Sequence, residues 1–341
     1  MRIALDATYS IGENLSGVGV YSRELLHGLA ASGFTESWEW FYRSQRFWRA
    51  RNTPVPVNVR RRFLAESFGS RGASLFHGLN QRLPGRRFRR QVATFHDLFV
   101  LSGEYSTPEF RRRFAAQARH AAQSADRIIA VSEFTASQVE SLLGIPRTQI
   151  RVVHHGISPL AIPNLPRENA VLCVGAIQKR KNQIGLVNAF RALPPDWSLV
   201  LAGSEGFDAA GTRGAIEASP ARDRIKVTGY LSPTELSSWY AKARIFAFPS
   251  LDEGFGLPVL EAMAAGIPVI TGNRSALPEV AGGAALTVDP ENVDELASAL
   301  CRLAGDQNLC EEKIVAGREW VKRFTWAKAV EETLNVYREL L

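Results

Sequence analysis

The sequence predicts two parallel-sheet α/β domains of similar size. Three observations carry this expectation. The chain has 341 residues, more than one typical domain. Short apolar runs alternate with helical patterns along its length, the signature of strands joined by helical crossovers. Near the middle this alternation stops at a proline-rich stretch. The composition, 45% hydrophobic and 22% charged, is ordinary for a globular protein and supplies enough apolar material for two cores.

The elements follow in order. In the first half the apolar runs are Arg2–Leu5, Trp38–Tyr42, Val55–Val59, Leu75–Phe76, Val92–Phe95, Ile128–Val131 and Arg151–Val153. Helical patterns occupy Gly19–Leu29, Pro108–Ala122 and Ser132–Leu143, the last opening at a serine cap followed by an acid. Between Gly156 and Pro166 stand Pro159, Pro163 and Pro166, which resist helix and central strand alike. The linker is placed there, with residues 1–160 as the first domain and 170–325 as the second. The second half restarts at Ala170–Val174 and continues through Ser198–Leu201, Ile225–Val227, Ile245–Phe248, Val269–Ile270 and Leu286–Val288. A last helix, residues 326–341, is set apart as one that can pack back on the first domain.

Several classes are disfavoured. No run of about 18 apolar residues occurs, so no membrane-spanning helix is expected. The opening Met1–Asp6 carries an acid where a secretion signal needs an apolar stretch; it reads as a first strand, and a cytoplasmic location is expected. Cys173, Cys301 and Cys310 are odd in number and lack zinc-like spacing. They are expected as small buried side chains in a reducing compartment.

The net charge of +7 is unevenly spread. Residues 1–170 hold 23 arginines, no lysine and 13 acids, a balance of +10, against −3 in residues 171–341. The clusters are Arg60-Arg61-Arg62, Arg86-Arg87, Arg89-Arg90 and Arg111-Arg112-Arg113. Each alone suits a solvated face. Together they suggest a surface turned toward a phosphate-bearing lipid or an acidic membrane. Nucleic acid is the weakest partner, because no zinc finger or RNA-binding aromatic signature accompanies them.

The strongest chemical signal is Glu253-Gly254-Phe255-Gly256-Leu257-Pro258-Val259-Leu260-Glu261. It follows a strand and opens a helix, with Pro258 in the first turn, where a missing N–H costs nothing. Gly254 and Gly256 let the backbone approach a ligand, and the helix start adds partial positive charge. One carboxylate in the loop and one about a turn into the helix suit a polyhydroxyl ligand, because a buried site built to read hydroxyls discriminates strongly. Arg180 and Lys181 follow a strand and Gly175 and precede a helix. Arg grips phosphate oxygens bidentately and Lys adds a point charge. No Asp-x-Asp pair for a divalent metal occurs in the chain.

These segments resemble glycosyltransferase family 4, whose members are retaining enzymes of GT-B fold. The nine-residue string resembles the family's Glu-x7-Glu signature. Val174-Gly175-Ala176-Ile177-Gln178-Lys179-Arg180-Lys181-Asn182 is similar to its Arg-Lys-Asn element, and Thr94-Phe95-His96-Asp97-Leu98 to its His-Asp element. Val131–Thr135, Val152–Gly156 and the glycine loop Ser16-Gly17-Val18-Gly19-Val20-Tyr21 match in the family's order. The resemblance spans essentially the whole chain. It implies two Rossmann-like domains facing each other across a cleft, the first for the acceptor and the second for a nucleotide sugar.

By the same resemblance, Gly17, Gly19, Gly175, Arg180, Lys181, Glu253, Gly254, Phe255, Gly256, Leu257 and Glu261 bind the donor. His96, Arg180, Lys181 and Glu253 carry catalysis, and Asp97 approaches the acceptor. Glu253 would face the transferred sugar and Glu261 the ribose. The two cations would stabilise the leaving diphosphate without any metal or other cofactor. The mechanism implied is a front-face displacement through an oxocarbenium-like state, with the leaving phosphate helping to deprotonate the acceptor. Two departures stand out. Lys179 occupies a common proline position, and His154-His155 replaces the commoner Pro-Asn, leaving open whether either histidine reaches the cleft.

The motif combination looks closest to bacterial mannosyl- and rhamnosyltransferases of polysaccharide assembly, including lipopolysaccharide. The favoured donor is GDP-mannose. The acceptor is a glycan or lipid-linked oligosaccharide, with peripheral contact to an anionic membrane. The competing classes are a non-catalytic sugar-nucleotide-binding subunit and an epimerase or phosphorylase of the same architecture. A nicotinamide dehydrogenase needs a third glycine in the first loop, where this chain has Ser22.

Overall fold

The computed structural model describes residues 1–12, 14–35, 37–64 and 72–341. The chain divides into two compact units, Met1–Gly156 with Phe324–Leu341, and Ile157–Arg323.

The first unit contains β1 (Arg2–Asp6), α1 (Gly17–Ala31), β2 (Ser37–Arg43), α2 (Ser44–Ala50), β3 (Val59–Leu64), β4 (Leu75–Gly78), β5 (Gln91–Phe95), α3 (Phe99–Ser102), α4 (Pro108–Ser124), β6 (Arg127–Ala130), α5 (Glu133–Leu143) and β7 (Ile150–Val152). Among the described residues its strands form one parallel sheet in the order β3-β2-β1-β4-β5-β6-β7. Ile3, Ala4 and Leu5 of β1 and Ile128, Ile129 and Ala130 of β6 are fully buried. That is why these strands read as unbroken apolar runs, since helices cover both faces of a parallel sheet.

One strand lies elsewhere than the sequence suggested. Val55–Val59 was the expected span, but the strand begins only at Val59. Pro54 and Pro56 precede it, and proline has no N–H for a ladder. The strand therefore carries Arg60-Arg61-Arg62 on the sheet's edge. Arg62 pairs with the buried Glu39 at 3.2 Å, and Arg61 donates to the Thr53 carbonyl. Part of this cluster is thus internal structure.

The second unit contains β8 (Glu168–Val174), α6 (Gln183–Phe190), β9 (Ser198–Ala202), α7 (Ala209–Glu217), β10 (Ile225–Gly229), α8 (Pro233–Lys242), β11 (Ala243–Phe248), α9 (Leu257–Ala264), β12 (Val269–Gly272), α10 (Leu277–Ala281), β13 (Leu286–Val288), α11 (Val293–Gly305) and α12 (Gln307–Trp320). Its sheet is parallel in the order β10-β9-β8-β11-β12-β13. The strand order reverses between β8 and β11. Open α/β sheets bind ligands outside the carboxyl ends of strands at such a switch point. The loops that follow these two strands are those bearing Arg180-Lys181 and Glu253.

The chain then returns to the first unit as α13 (Trp326–Arg338). Ala329, Leu334 and Tyr337 of α13 join Leu25, Leu26 and Leu29 of α1 in one core. The approach is close at Gly28, where an added Cβ would lie 2.5 Å from Val330. Glu339 closes the return by pairing with Arg127 at 2.9 Å and Arg151 at 2.8 Å. Among the cysteines, Cys173 is buried and Cys310 partly so, but Cys301 is exposed, contrary to the expectation. Leu296, Ala299, Leu300 and Leu303 take the buried face of α11, which turns Cys301 outward.

Candidate functional site

In the second unit the loop after β8 begins at Gly175, whose φ of +143° lies outside the range side chains usually adopt. Gly203 packs against it so tightly that an added Cβ would sit 2.0 Å from the Gly175 carbonyl oxygen. The chain then makes a single 3₁₀ turn over Lys179–Lys181. Asn182, itself left-handed at φ +53°, caps α6 by accepting from the Gly185 N–H at 3.3 Å. The turn aims Arg180 and Lys181 at the loop after β11, and the Leu251 N–H bonds to the Arg180 carbonyl at 2.8 Å.

Three charged side chains meet there. Glu253 Oε2 lies 2.9 Å from Arg180 Nη1, and Glu253 Oε1 lies 2.5 Å from Lys181 Nζ. Arg180 Nη1 also donates to the Asp252 carbonyl. Arg180 and Glu253 are only 8% and 7% exposed. Burial alone pushes the Glu253 carboxyl up, but Arg180 and Lys181 overcome it and hold the group at about 2. Burial lowers Lys181, against the opposing pull of Glu253. Lys181 Nζ also sits 4.6 Å from the centre of the Phe248 ring, a favourable cation–π contact. The triad carries net charge +1 in a largely dry site at the carboxyl ends of β8 and β11. Such a site suits an anion that exchanges with the carboxylate.

The remainder of the nine-residue string is laid out around this triad. The Glu253 N–H donates to Ser275 Oγ at 3.0 Å. Gly254, Phe255 and Gly256 are buried. Gly256, at φ +110°, is the residue before α9. Leu257 begins the helix, with Pro258 in its first turn. Glu261 is half-buried one turn further in, and its Oε2 accepts from the Tyr240 hydroxyl at 2.8 Å. Burial raises the Glu261 carboxyl, and the bond from Tyr240 opposes the rise. The two acids of the string therefore occupy opposite electrostatic environments.

In the first unit, Gly17 opens α1 and is exposed, while Gly19 is buried. The Gly19 N–H donates to the Ser16 hydroxyl at 3.3 Å. An added Cβ on Gly19 would lie 3.0 Å from the Tyr9 carbonyl oxygen, so Gly19 is needed for packing, whereas among the described residues nothing crowds Gly17. His96 follows β5 and is 6% exposed. Its Nε2 lies 3.0 Å from the Leu79 carbonyl oxygen. A carbonyl only accepts, so Nε2 carries the proton and Nδ1 is the bare acceptor. Burial lowers His96 to about 4, against the Leu79 bond, which keeps the ring neutral at pH 7. Asp97 is half-buried beside it.

Sequence reasoning missed what surrounds His96. Tyr21 meets its ring edge-on at 4.6 Å, and His155 stacks on it at 5.4 Å. Of the two histidines left open, His155 is therefore buried against His96, and His154 lies against Phe324 at 5.7 Å. Behind them runs a buried polar chain. The Tyr21 hydroxyl is 2.9 Å from Thr94 Oγ1, which is 2.8 Å from His77 Nε2, and His77 Nδ1 is 2.6 Å from the Tyr337 hydroxyl. Tyr21 closes the first glycine motif and was visible as such. Tyr240 and Ser275 gave no sequence signal. Among the described residues no group of three or more His, Cys, Asp or Glu side chains is placed to hold a metal ion.

Comparisons with known proteins agree with this layout. The family description "Glycosyltransferase Family 4" matches residues 15–159, and "Glycosyl transferases group 1" matches residues 161–320. The chain is 32% identical to the O-antigen chain mannosyltransferase B of Escherichia coli, over 78% of this chain and 74% of that protein. Sucrose-phosphate synthase from Thermosynechococcus elongatus superposes with a TM-score of 0.81 at 24% identity, covering 99% of this chain and 98% of the other. The Anabaena protein HepE, solved in complex with UDP and glucose, superposes with a TM-score of 0.74 at 17% identity, covering 99% of each chain. The chain belongs to the GT-B glycosyltransferases, joining a family 4 domain to a group 1 domain.

Proposed function

We propose that the protein transfers mannose from GDP-mannose, with retention of configuration, to a polysaccharide or lipid-linked oligosaccharide, without a divalent metal. The observation that carries this reading is the buried Arg180–Lys181–Glu253 triad at the carboxyl ends of β8 and β11. As the bond to the leaving diphosphate breaks, negative charge grows on it. Two pre-organised cations in a dry site are suited to take up that charge. Glu253, kept ionised, addresses the hydroxyls of the transferred sugar, and Glu261 addresses the ribose. His96 presents a neutral ring with Nδ1 as acceptor toward the sugar, and Asp97 approaches the acceptor.

Mannose as the sugar is supported by the activity named for the Escherichia coli relative. A nucleotide as the carrier is supported by the UDP complex of HepE. The metal-free reading rests on the cations in place and on the lack of any Asp-x-Asp pair. The arginine-rich first unit would bring the enzyme to an anionic membrane surface, where a lipid-linked acceptor is met; no helix of the described residues is long and apolar enough to cross a membrane.

The test is a thermal-shift panel of nucleotide sugars followed by transfer assays. A ligand at 100 times its Kd stabilises by about 2.7 kcal/mol, so GDP-mannose should give the largest shift. Transfer should survive excess EDTA. A larger shift with a UDP-sugar would move the donor assignment. Activity lost to EDTA and restored by Mg²⁺ or Mn²⁺ would overturn the metal-free mechanism.

A further inference from the structure

Tyr240 is fully buried on α8. Its hydroxyl donates to Glu261 Oε2 at 2.8 Å, and its ring lies 6.1 Å from that of Phe246. The two helices that carry this pair are held together by a third side chain. One amino group of the Arg167 guanidinium donates to the carbonyls of Tyr240 and Ala243, each at 2.7 Å, at the end of α8. The other donates to those of Ala265 at 2.8 Å and Gly266 at 3.2 Å, just past the end of α9. A single side chain thereby joins carbonyls at and just past the ends of both helices. This brace ties together the ends of the two helices that carry Tyr240 and Glu261.

Glu261 is half-buried. A carboxylate offers two acceptor oxygens, and a long side chain in a half-open site ordinarily samples several rotamers. The Tyr240 hydroxyl engages one oxygen and stops the rotation, so the other is presented in one direction. We propose that Tyr240 is a positioning residue that sets specificity for ribonucleotides by holding Glu261 so that one carboxylate oxygen meets the ribose hydroxyls of the donor. The proposal rests on the assignment of Glu261 to the ribose.

The experiment is calorimetry on wild type, Tyr240→Phe and Glu261→Ala with three probes: GDP, 2′,3′-dideoxy-GDP and inorganic pyrophosphate. If the donor panel selects uridine, UDP and its dideoxy form replace the guanosine pair. Tyr240→Phe should weaken GDP by about tenfold, the scale of one hydrogen bond to a charged group. It should leave dideoxy-GDP and pyrophosphate as in wild type, and raise the KM for the sugar nucleotide with kcat unchanged. Glu261→Ala normal for GDP would overturn the ribose assignment and the proposal with it. Glu261→Ala weakened for GDP with Tyr240→Phe normal would overturn the Tyr240 role alone. Equal losses on all three probes in Tyr240→Phe would make the tyrosine a packing residue and also overturn it. Should Tyr240→Phe fail to fold, Arg167→Lys, which loosens the helix ends that hold Tyr240 against Glu261 while leaving both residues in place, must show the same selective loss, and unchanged GDP binding in that variant overturns the Tyr240 role.

Discussion

Replacing Glu253 with glutamine should tighten the binding of nucleoside diphosphate while it slows transfer. In the free protein Glu253 is the counter-charge of both Arg180 and Lys181, at 2.9 and 2.5 Å, with all three side chains largely out of water. A diphosphate that reaches these cations competes with that carboxylate. Removing one partner of a buried ion pair costs about 3–5 kcal/mol. Glutamine keeps a carbonyl acceptor, so the low end applies. The cost falls on the free protein, because in the complex the diphosphate supplies the missing negative charge. By linkage the difference appears as affinity, and about 3 kcal/mol corresponds to roughly a hundredfold tighter binding. Two assays read it. Thermal unfolding of Glu253→Gln should start lower than wild type without ligand and gain more on adding GDP. Calorimetry should give the tighter Kd directly. Unchanged unfolding together with equal or weaker GDP affinity would refute the idea that Glu253 and the diphosphate compete.

The other predictions concern the same triad and the first unit. Arg180→Ala or Lys181→Ala should cut turnover by about 10²–10³-fold, the scale of losing one pre-organised charge stabiliser; a fully active Arg180→Ala enzyme would rule out the leaving-group role. His96 and His77 are held by burial at about 4 and about 3, below the ordinary 6.5. As pH falls through 6.5 the unfolded chain binds protons that the folded one refuses. Stability is therefore full above that pH and drops below it, by about 2 kcal/mol per histidine between pH 7 and 5. Equal denaturant midpoints at the two pH values would contradict this. The first unit should co-sediment with acidic vesicles at low salt and release at high salt, since Arg86, Arg89, Arg112 and Arg113 are exposed and such attraction is screened within about 8 Å at physiological salt. Protein left in the supernatant at low salt would remove the membrane role.

Much of the scaffold was legible because a parallel sheet buries both faces of its strands. Runs such as Ile128–Ala130 and Ile245–Phe248 then have no polar interruption to obscure them. The edge strand was misplaced because Val55 and Val57 look apolar while Pro54 and Pro56 forbid the ladder, and the true strand is masked by its three arginines. The loops of the candidate site were legible for a different reason. Glycines with left-handed or crowded backbones, as at Gly175 and Gly256, stand beside charged residues at strand ends, a pairing that packing alone does not produce. Partnerships across the sequence were not legible. Lys181 and Glu253 lie 72 residues apart, and nothing in either segment says that the cations of one loop neutralise the acid of the other. Tyr240 was hidden because its helix needs an apolar ring at that position, and the ring explains the residue before its hydroxyl is considered.

The same limit explains why the two acids of the Glu-x7-Glu string looked equivalent. In sequence they differ only in that one precedes the helix and the other lies within it. In the fold they have opposite surroundings. Glu253 sits between two cations that hold its carboxyl at about 2 despite burial, which suits it to act through charge. At Glu261 burial raises the carboxyl and a tyrosine hydroxyl holds it, which suits it to act through the direction of a hydrogen bond. A charge tolerates small displacements, because Coulomb energy falls only as the inverse of distance, whereas a hydrogen bond weakens steeply with angle. Substitutions that shift side chains slightly should therefore spare the Glu253 function and impair the Glu261 function. On the proposed reading, that asymmetry is why the hydroxyl of Tyr240, whose helix end Arg167 ties to that of α9, is placed on Glu261.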